Sequence, residues 1–148
     1  MSVDVTVSTQ IARTPADVSA YCCDPDNDTS WYVNIKEVNW LSEKPARVGT
    51  KVARVAHFMG KKIAYTYVVE EMVAGEKLVM SALDSPFPMT TTYTWEDAGD
   101  GTTRMVLRNQ GDPGGFFGKL TAPLMSMQMK SATTKDLARL KQILEGAS

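Results

Sequence analysis

The side chains able to do acid–base or anion chemistry are few, and most fall in segments that read as strands. His57 is the single histidine of the chain, an imidazole suited to proton transfer near neutral pH. The alternation in Val52-Ala53-Arg54-Val55-Ala56-His57-Phe58 puts Val52, Arg54, Ala56 and Phe58 on one side of a strand and His57 on the other. With the apolar side inward, His57 faces solvent and Arg54 faces the interior. A buried guanidinium is costly without an anion beside it. Arg54 is therefore expected to meet an internal carboxylate, to reach water at a strand end, or to grip the carboxylate or enolate of a ligand. Glu71 shares the parity of Tyr65, Tyr67 and Val69 and invites the same readings. Removing a proton from a carbon acid and polarising a carbonyl would call on Tyr65, Tyr67, Arg54, Glu71 or His57, but their spacing assigns none of them as catalytic. Nor does it decide which of Arg54, His57 and Glu71 share a site.

Other chemistries lack their residues. One histidine excludes the HExxH helix, histidine triads and C2H2 fingers. Gly111-Asp112-Pro113-Gly114-Gly115-Phe116-Phe117-Gly118-Lys119 is glycine-rich, but position 113 is proline and Leu120 follows Lys119. It reads as a flexible approach to a helix, not as a phosphate loop. Neither a metal nor a cofactor is expected. What the chain has in quantity is rings and thioethers on the presumed inner faces: Tyr65, Tyr67, Phe87, Met89, Tyr93, Trp95, Met105, Met125 and Met129. Each alone reads as core filling. Together with Arg54 and Phe58 they suggest the lining of an apolar cavity, since flat rings and adaptable sulfurs form such walls and tyrosine hydroxyls orient a ligand.

The elements that would position these residues follow from periodicity. Residues 3–11 alternate, with Val3, Val5 and Val7 on one face of a strand. Thr14-Pro15-Ala16-Asp17 supplies a helix cap, a first-position proline and a first-turn carboxylate, so a short helix is expected to bury Val18, Tyr21 and Cys22. Asp24-Pro25-Asp26 repeats the signal and predicts a second helical turn ending near Trp31-Tyr32. Strands are expected at 35–41, 50–59, 63–73, 77–83, 87–96 and 102–109, joined by turns carrying Gly, Asp and Asn. In Met89–Glu96, Met89, Tyr93 and Trp95 share a face opposite Thr90, Thr92, Thr94 and Glu96; then Thr103, Met105 and Leu107 oppose Arg104 and Arg108. A sheet with one wet face must cover the other. The cover is expected to be a C-terminal helix over 123–145, roughly 34 Å long, with Pro123 either kinking it or seated in its first turn behind a Thr121 cap. Its stripe is Ala122, Met125, Met129, Ala132, Thr133, Leu137, Leu140 and Leu144, and it stops near Gly146. Leu120, Leu124 and Met127 form a second apolar strip, suited to a cavity rim, a membrane-facing edge or a homodimer contact.

Length and composition set the frame. The 148 residues, 43% hydrophobic and 22% charged, predict one globular domain over 1–148 that needs no disulfide or metal to hold its core. The net charge of −1 without a basic block argues against a nucleic-acid partner. No apolar run approaches the roughly 18 residues of a spanning helix, and no secretion signal is visible, so a cytoplasmic location is expected. Adjacent Cys22 and Cys23 then read as small thiols lining the core, not as a bridge.

The order of strand, two short helices, further strands and a long helix resembles the polyketide cyclase/dehydrase branch of the START-like superfamily. The likeness is carried by Ile11-Ala12-Arg13-Thr14-Pro15-Ala16-Asp17-Val18, Trp31, Val48-Gly49-Thr50, Phe58-Met59-Gly60-Lys61-Lys62, Pro86-Phe87-Pro88-Met89, Gly101-Thr102-Thr103-Arg104 and Lys135-Asp136-Leu137-Ala138-Arg139-Leu140-Lys141. The resemblance implies an α+β helix-grip fold: a curved antiparallel sheet of about seven strands around the last helix. It also implies a pocket between them for lipids, sterols or polyketide-like molecules. Some members of the family are cyclases or dehydratases and many only bind, and no shared catalytic motif transfers a residue to this chain. The expectation is a binder or carrier of a small hydrophobic molecule, with a cyclase or dehydratase acting on such a ligand as the alternative. A third possibility, an interaction module resembling the co-chaperone members, would have a filled core and an exposed apolar patch.

Overall fold

Thr14 opens the first helix as its type dictates: its hydroxyl accepts the Asp17 N–H at 3.2 Å, and proline occupies the first turn. The computed structural model describes residues 3–82, 88–112 and 122–146. Strand β1 (Val3–Ile11) leads into α1 (Pro15–Cys22), then a single 3-10 turn (Pro25–Asn27) capped by Asp24, then α2 (Asp28–Trp31). Strands β2 (Ile35–Trp40), β3 (Lys51–Phe58), β4 (Lys61–Val73), β5 (Lys77–Ala82), β6 (Met89–Gly99) and β7 (Thr102–Gly111) follow, and α3 (Ala122–Gly146) ends the described chain. The fold is the α+β helix-grip arrangement: seven antiparallel strands in the order β1-β7-β6-β5-β4-β3-β2, with β1 carried to the far edge beside β7. The expected cap at Thr121 and the loop over 113–121 lie outside the described residues.

Two hairpins use the turn chemistry read from the sequence. Met59 and Gly60, between β3 and β4, have φ of 52° and 77°; Asp100 and Gly101, between β6 and β7, have φ of 54° and 72°. Two successive left-handed residues give the turn whose twist matches the flanking strands. The second turn is tighter than expected: β6 pairs as far as Gly99, with a bulge between Asp97 and Gly99.

One strand departs from simple alternation. In β4, Val69 pairs with Met80 but Glu71 pairs with Val79, so Glu70 is an extra residue. A bulge reverses the facing of everything beyond it. Glu71, expected on the face of Tyr65 and Tyr67, is instead exposed and paired with Lys77 at 3.0 Å on the solvent side. Met72 takes the inward place and packs on the core.

Helix α3 lies across the concave face. Met125, Met129, Thr133, Asp136, Leu137 and Leu140 are its buried positions. Its C-terminal end is fastened to the close of β1 by polar contacts: Ala12 N–H donates to Glu145 Oε2 (2.9 Å), Arg13 Nε to the Leu144 carbonyl (2.8 Å) and Lys141 Nζ to the Gln10 carbonyl (2.6 Å). The core forms two clusters. The larger gathers Ile11, Val18, Trp31, Tyr67, Tyr93, Trp95, Met105 and Leu107 with Leu137 and Leu140, among others; the smaller holds Val3, Val5, Met125 and Met129. Cys22 is buried, Cys23 half-buried, and both are free thiols. No helix among the described residues is long and apolar enough to cross a membrane.

Candidate functional site

Beneath the middle of α3, from Met129 to Asp136, the two layers do not meet, and a hollow of about 140 Å³ remains. Its apolar wall comes from Ile35, Ala56, Phe58, Ile63, Met89 and Met129. Asn34, Phe58 and Ala132 also border a neighbouring surface groove shared with Met59, Gln128, Ser131 and Lys135. The hollow therefore opens between the β3–β4 turn and the outer edge of α3.

Arg54 lies at this cavity because strand parity turns it inward, and α2 supplies the anion that such a residue requires. The Nε and Nη2 groups of Arg54 both donate to Asp28 Oδ2, at 3.0 and 2.5 Å. Both side chains are almost fully buried, at 5% and 1% exposure. Nη1 points to the Tyr65 hydroxyl at 3.4 Å, while the guanidinium carbon stands 5.1 Å from the Tyr32 ring centre and 4.3 Å from that of Tyr67. Burial pushes the Asp28 carboxyl up, with the Arg54 charge pulling against it. Burial also works against the Arg54 charge, but Asp28 and the surrounding phenols outweigh it, so the guanidinium stays protonated. Of the readings open for Arg54, an internal ion pair is the one realised.

Further polar groups face the same space. Asp136, on the buried stripe of α3, is 5% exposed and accepts the Val33 N–H at 2.8 Å through Oδ1. Burial raises its carboxyl to about 6, against the opposing pull of the Val33 N–H and Arg139. Across from it, Thr91 Oγ1 donates to Asn109 Oδ1 (2.7 Å), and Asn109 Nδ2 donates to Thr133 Oγ1 (3.5 Å), a polar relay joining β6, β7 and α3. The Tyr32 and Tyr93 hydroxyls share a hydrogen bond, and burial pushes both phenols well above their ordinary range. No hydrogen bond among the described residues joins Asp136 to Arg54 or Tyr65. Nor do the described residues group three or more His, Cys, Asp or Glu side chains as a metal site would.

The residues expected to line a cavity divide between three places. Arg54, Phe58, Tyr65, Met89 and Met129 border the hollow. Tyr67, Tyr93, Trp95 and Met105 share the inner face but belong to the packed cluster, and Met125 packs with Val3 and Val5. The reason is that the two short helices plug that end of the sheet: Trp31 meets Tyr93 edge-on at 5.7 Å, and the Cys22 thiol contacts the Met105 sulfur at 4.0 Å. Phe87 lies outside the described residues. His57 is exposed, and Glu71 is turned away by the bulge. Sequence reasoning passed over Tyr32, Asn34, Thr91, Asn109 and Asp136. A signal existed for two of them: Thr91 has the parity of Met89 and Tyr93, and Asp136 interrupts the apolar stripe between Thr133 and Leu140.

Comparison with known proteins agrees with this architecture. The sequence profile of a family described as polyketide cyclase / dehydrase and lipid transport matches residues 2–145. No curated protein matches the chain in sequence. Among solved structures, a protein from Thermus thermophilus is 21% identical with a TM-score of 0.84, covering 98% of this chain and 99% of its own. A START superfamily protein from Mycobacterium smegmatis is 10% identical with a TM-score of 0.85, with 98% and 99% covered. The Zhui aromatase/cyclase of a Streptomyces species is 15% identical with a TM-score of 0.81, with 98% and 94% covered. At these identities the likeness is one of fold.

Proposed function

Because the chain belongs to the polyketide cyclase/dehydrase and lipid transport family, we propose that it binds and carries a small hydrophobic molecule in the cavity beneath α3. The observation that carries this reading is a partly enclosed hollow with an apolar wall and a few oriented polar groups, the usual composition of a small-molecule site. Size narrows the occupant. An interior cavity of about 150 Å³ accommodates one benzene-sized ring, so a lipid, sterol or polyketide chain would seat one ring or short segment inside. The remainder would extend through the opening at Phe58 and Ala132. Thermal-shift and native mass measurements against hydroxylated aromatics, sterols and fatty acids test the reading. A true ligand at about 100 times its Kd adds about 2.7 kcal/mol, a rise of several degrees in Tm for a chain of this size. A panel with no retained molecule and no stabilisation would overturn the proposal.

A second reading, an enzyme of the cyclase or dehydratase type, is favoured by Asp136 alone. A buried carboxyl raised to about 6 on the wall of an apolar cavity is suited to take a proton from carbon. The enolate would then attack a second carbonyl of the same chain, and the proton would return to the alkoxide formed. The Tyr65 hydroxyl, beside Arg54, is the donor available to polarise a carbonyl. Deuterium exchange at the α-carbon of an acetoacetyl thioester, followed by NMR, separates the two readings. An enzyme accelerates it above buffer and loses the acceleration in Asp136→Asn, whereas a carrier leaves the rate at that of buffer.

A further inference from the structure

The charges around the hollow do more than make it polar; they are unbalanced. Of the described residues lining it, only Arg54 and Asp136 carry formal charge. Arg54 is committed: two of its nitrogens hold Asp28, a third points to Tyr65, and rings stand against it at 4.3 and 5.1 Å. Its charge is offset by a carboxylate outside the cavity lining, so it offers little to an incoming anion. Asp136 has no ion-pair partner among the described residues and is pulled by the Arg139 guanidinium only from an exposed position on the same helix. Its hydrogen-bonded partner is the neutral Val33 N–H, and the side chains beside it on the wall are Ala132 and Thr133. The relay opposite is neutral as well, with the Asn109 amide oxygen and the Thr133 oxygen both already accepting. In this partly enclosed site a second carboxylate meets no free cation and is repelled by Asp136, whereas a hydroxyl has an acceptor waiting.

We propose that Asp136 makes this cavity selective for molecules whose buried end donates a hydrogen bond, such as a phenol or alcohol, and against carboxylates. The inference rests on the binding reading above and deepens it by naming the ligand class. It also assigns Arg54 a structural part instead of the anion grip that its inward position suggests.

The experiment compares 2-naphthol with 2-naphthoate, one bicyclic body with two polar ends, by calorimetric or fluorescence titration of the full chain. At about pH 7.5 the naphthol is expected to bind at least about tenfold more tightly. Asp136→Asn keeps an oxygen for the Val33 N–H, so the fold is retained, which circular dichroism verifies. This variant turns the other oxygen into an N–H donor and is expected to bring the ratio to about twofold or less, both by improving naphthoate binding and by taking the acceptor from the naphthol. Wild-type protein gives a second readout that needs no variant. Lowering the pH to about 5, where Asp136 takes up its proton and the probe is still largely ionised, strengthens naphthoate binding several-fold and weakens that of the naphthol, whose acceptor loses its charge. The ionisable groups around Asp136 are Tyr32 after α2, Arg54 and its partner Asp28, Tyr65 on β4, and Arg139 and Lys135 on α3 itself. A pH effect that persists in Asp136→Asn would transfer the selectivity to the Asp28–Arg54 pair and overturn the assignment. Equal affinity for both probes, or preference for naphthoate, would overturn the selectivity and leave the cavity reading standing. Failure of both probes to bind would remove both.

Discussion

Removal of the Arg54 side chain strands a carboxylate, because Asp28 is 1% exposed and Arg54 is its charge partner. Arg54→Met is expected to destabilise the protein by about 3–5 kcal/mol, while adding Asp28→Leu recovers most of the loss, since the buried charge then goes too. Urea unfolding of the two variants measures the difference. Asp136 behaves in the opposite sense to an ordinary surface acid. Its carboxyl titrates at about 6 in the fold, against 3.8 for the unfolded group. Between those values the folded protein holds the proton and the unfolded chain does not. The stability contributed by this group is therefore full below the window, falls as pH rises through it, and is lost above about 6. Asp136→Asn should accordingly gain about 2 kcal/mol at about pH 7.5 and nothing near pH 3.5, read as Tm at the two pH values.

Among the described glycines, Gly111 of β7 has the closest neighbours. A methyl group at Gly111 would come within 2.6 Å of the Pro88 carbonyl oxygen and 3.3 Å of Met89 Cα, both backbone atoms of the neighbouring segment. Gly111→Ala is thus expected to cost about 1–3 kcal/mol in chemical denaturation and to weaken ligand binding through Met89, which borders the cavity. Most of this element pattern was legible in the sequence, because alternation over Val3–Ile11 or Met89–Glu96 reports directly which face is wet, and Thr14-Pro15 states where a helix begins. Parity also brought Arg54 inward and left His57 outside. It failed at Glu71, because alternation carries no mark of the extra residue at Glu70, whose place depends on how β5 pairs. The Asp28 partner of Arg54 was hidden for another reason: 26 positions separate them, and only the packing of α2 on β2, the neighbour of β3, brings them together. Likewise, the boundary between cavity wall and solid core, with Tyr65 on one side and Tyr67 on the other, depends on where α1 and α2 plug the sheet.

At the scale of the whole molecule, α3 is held unequally along its length. Its last turns carry Leu137 and Leu140 in the main cluster and the contacts to Ala12, Arg13 and Gln10. Its first turns rest on the small cluster of Met125 and Met129 with Val3 and Val5, and beside that cluster lies empty space. Among the described residues, one continuous rod thus joins a densely fastened half to a sparsely fastened one. Amide protons near residues 126–132 are expected to exchange with deuterium at least about tenfold faster than those near 137–143, because opening the first group need not break the main core. A bound guest should slow the fast group and leave the slow group at the global rate. Among the described contacts the same unevenness makes the helix a cantilever, and a guest that entered by flexing its less-fastened half would do so at a cost well below that of unfolding.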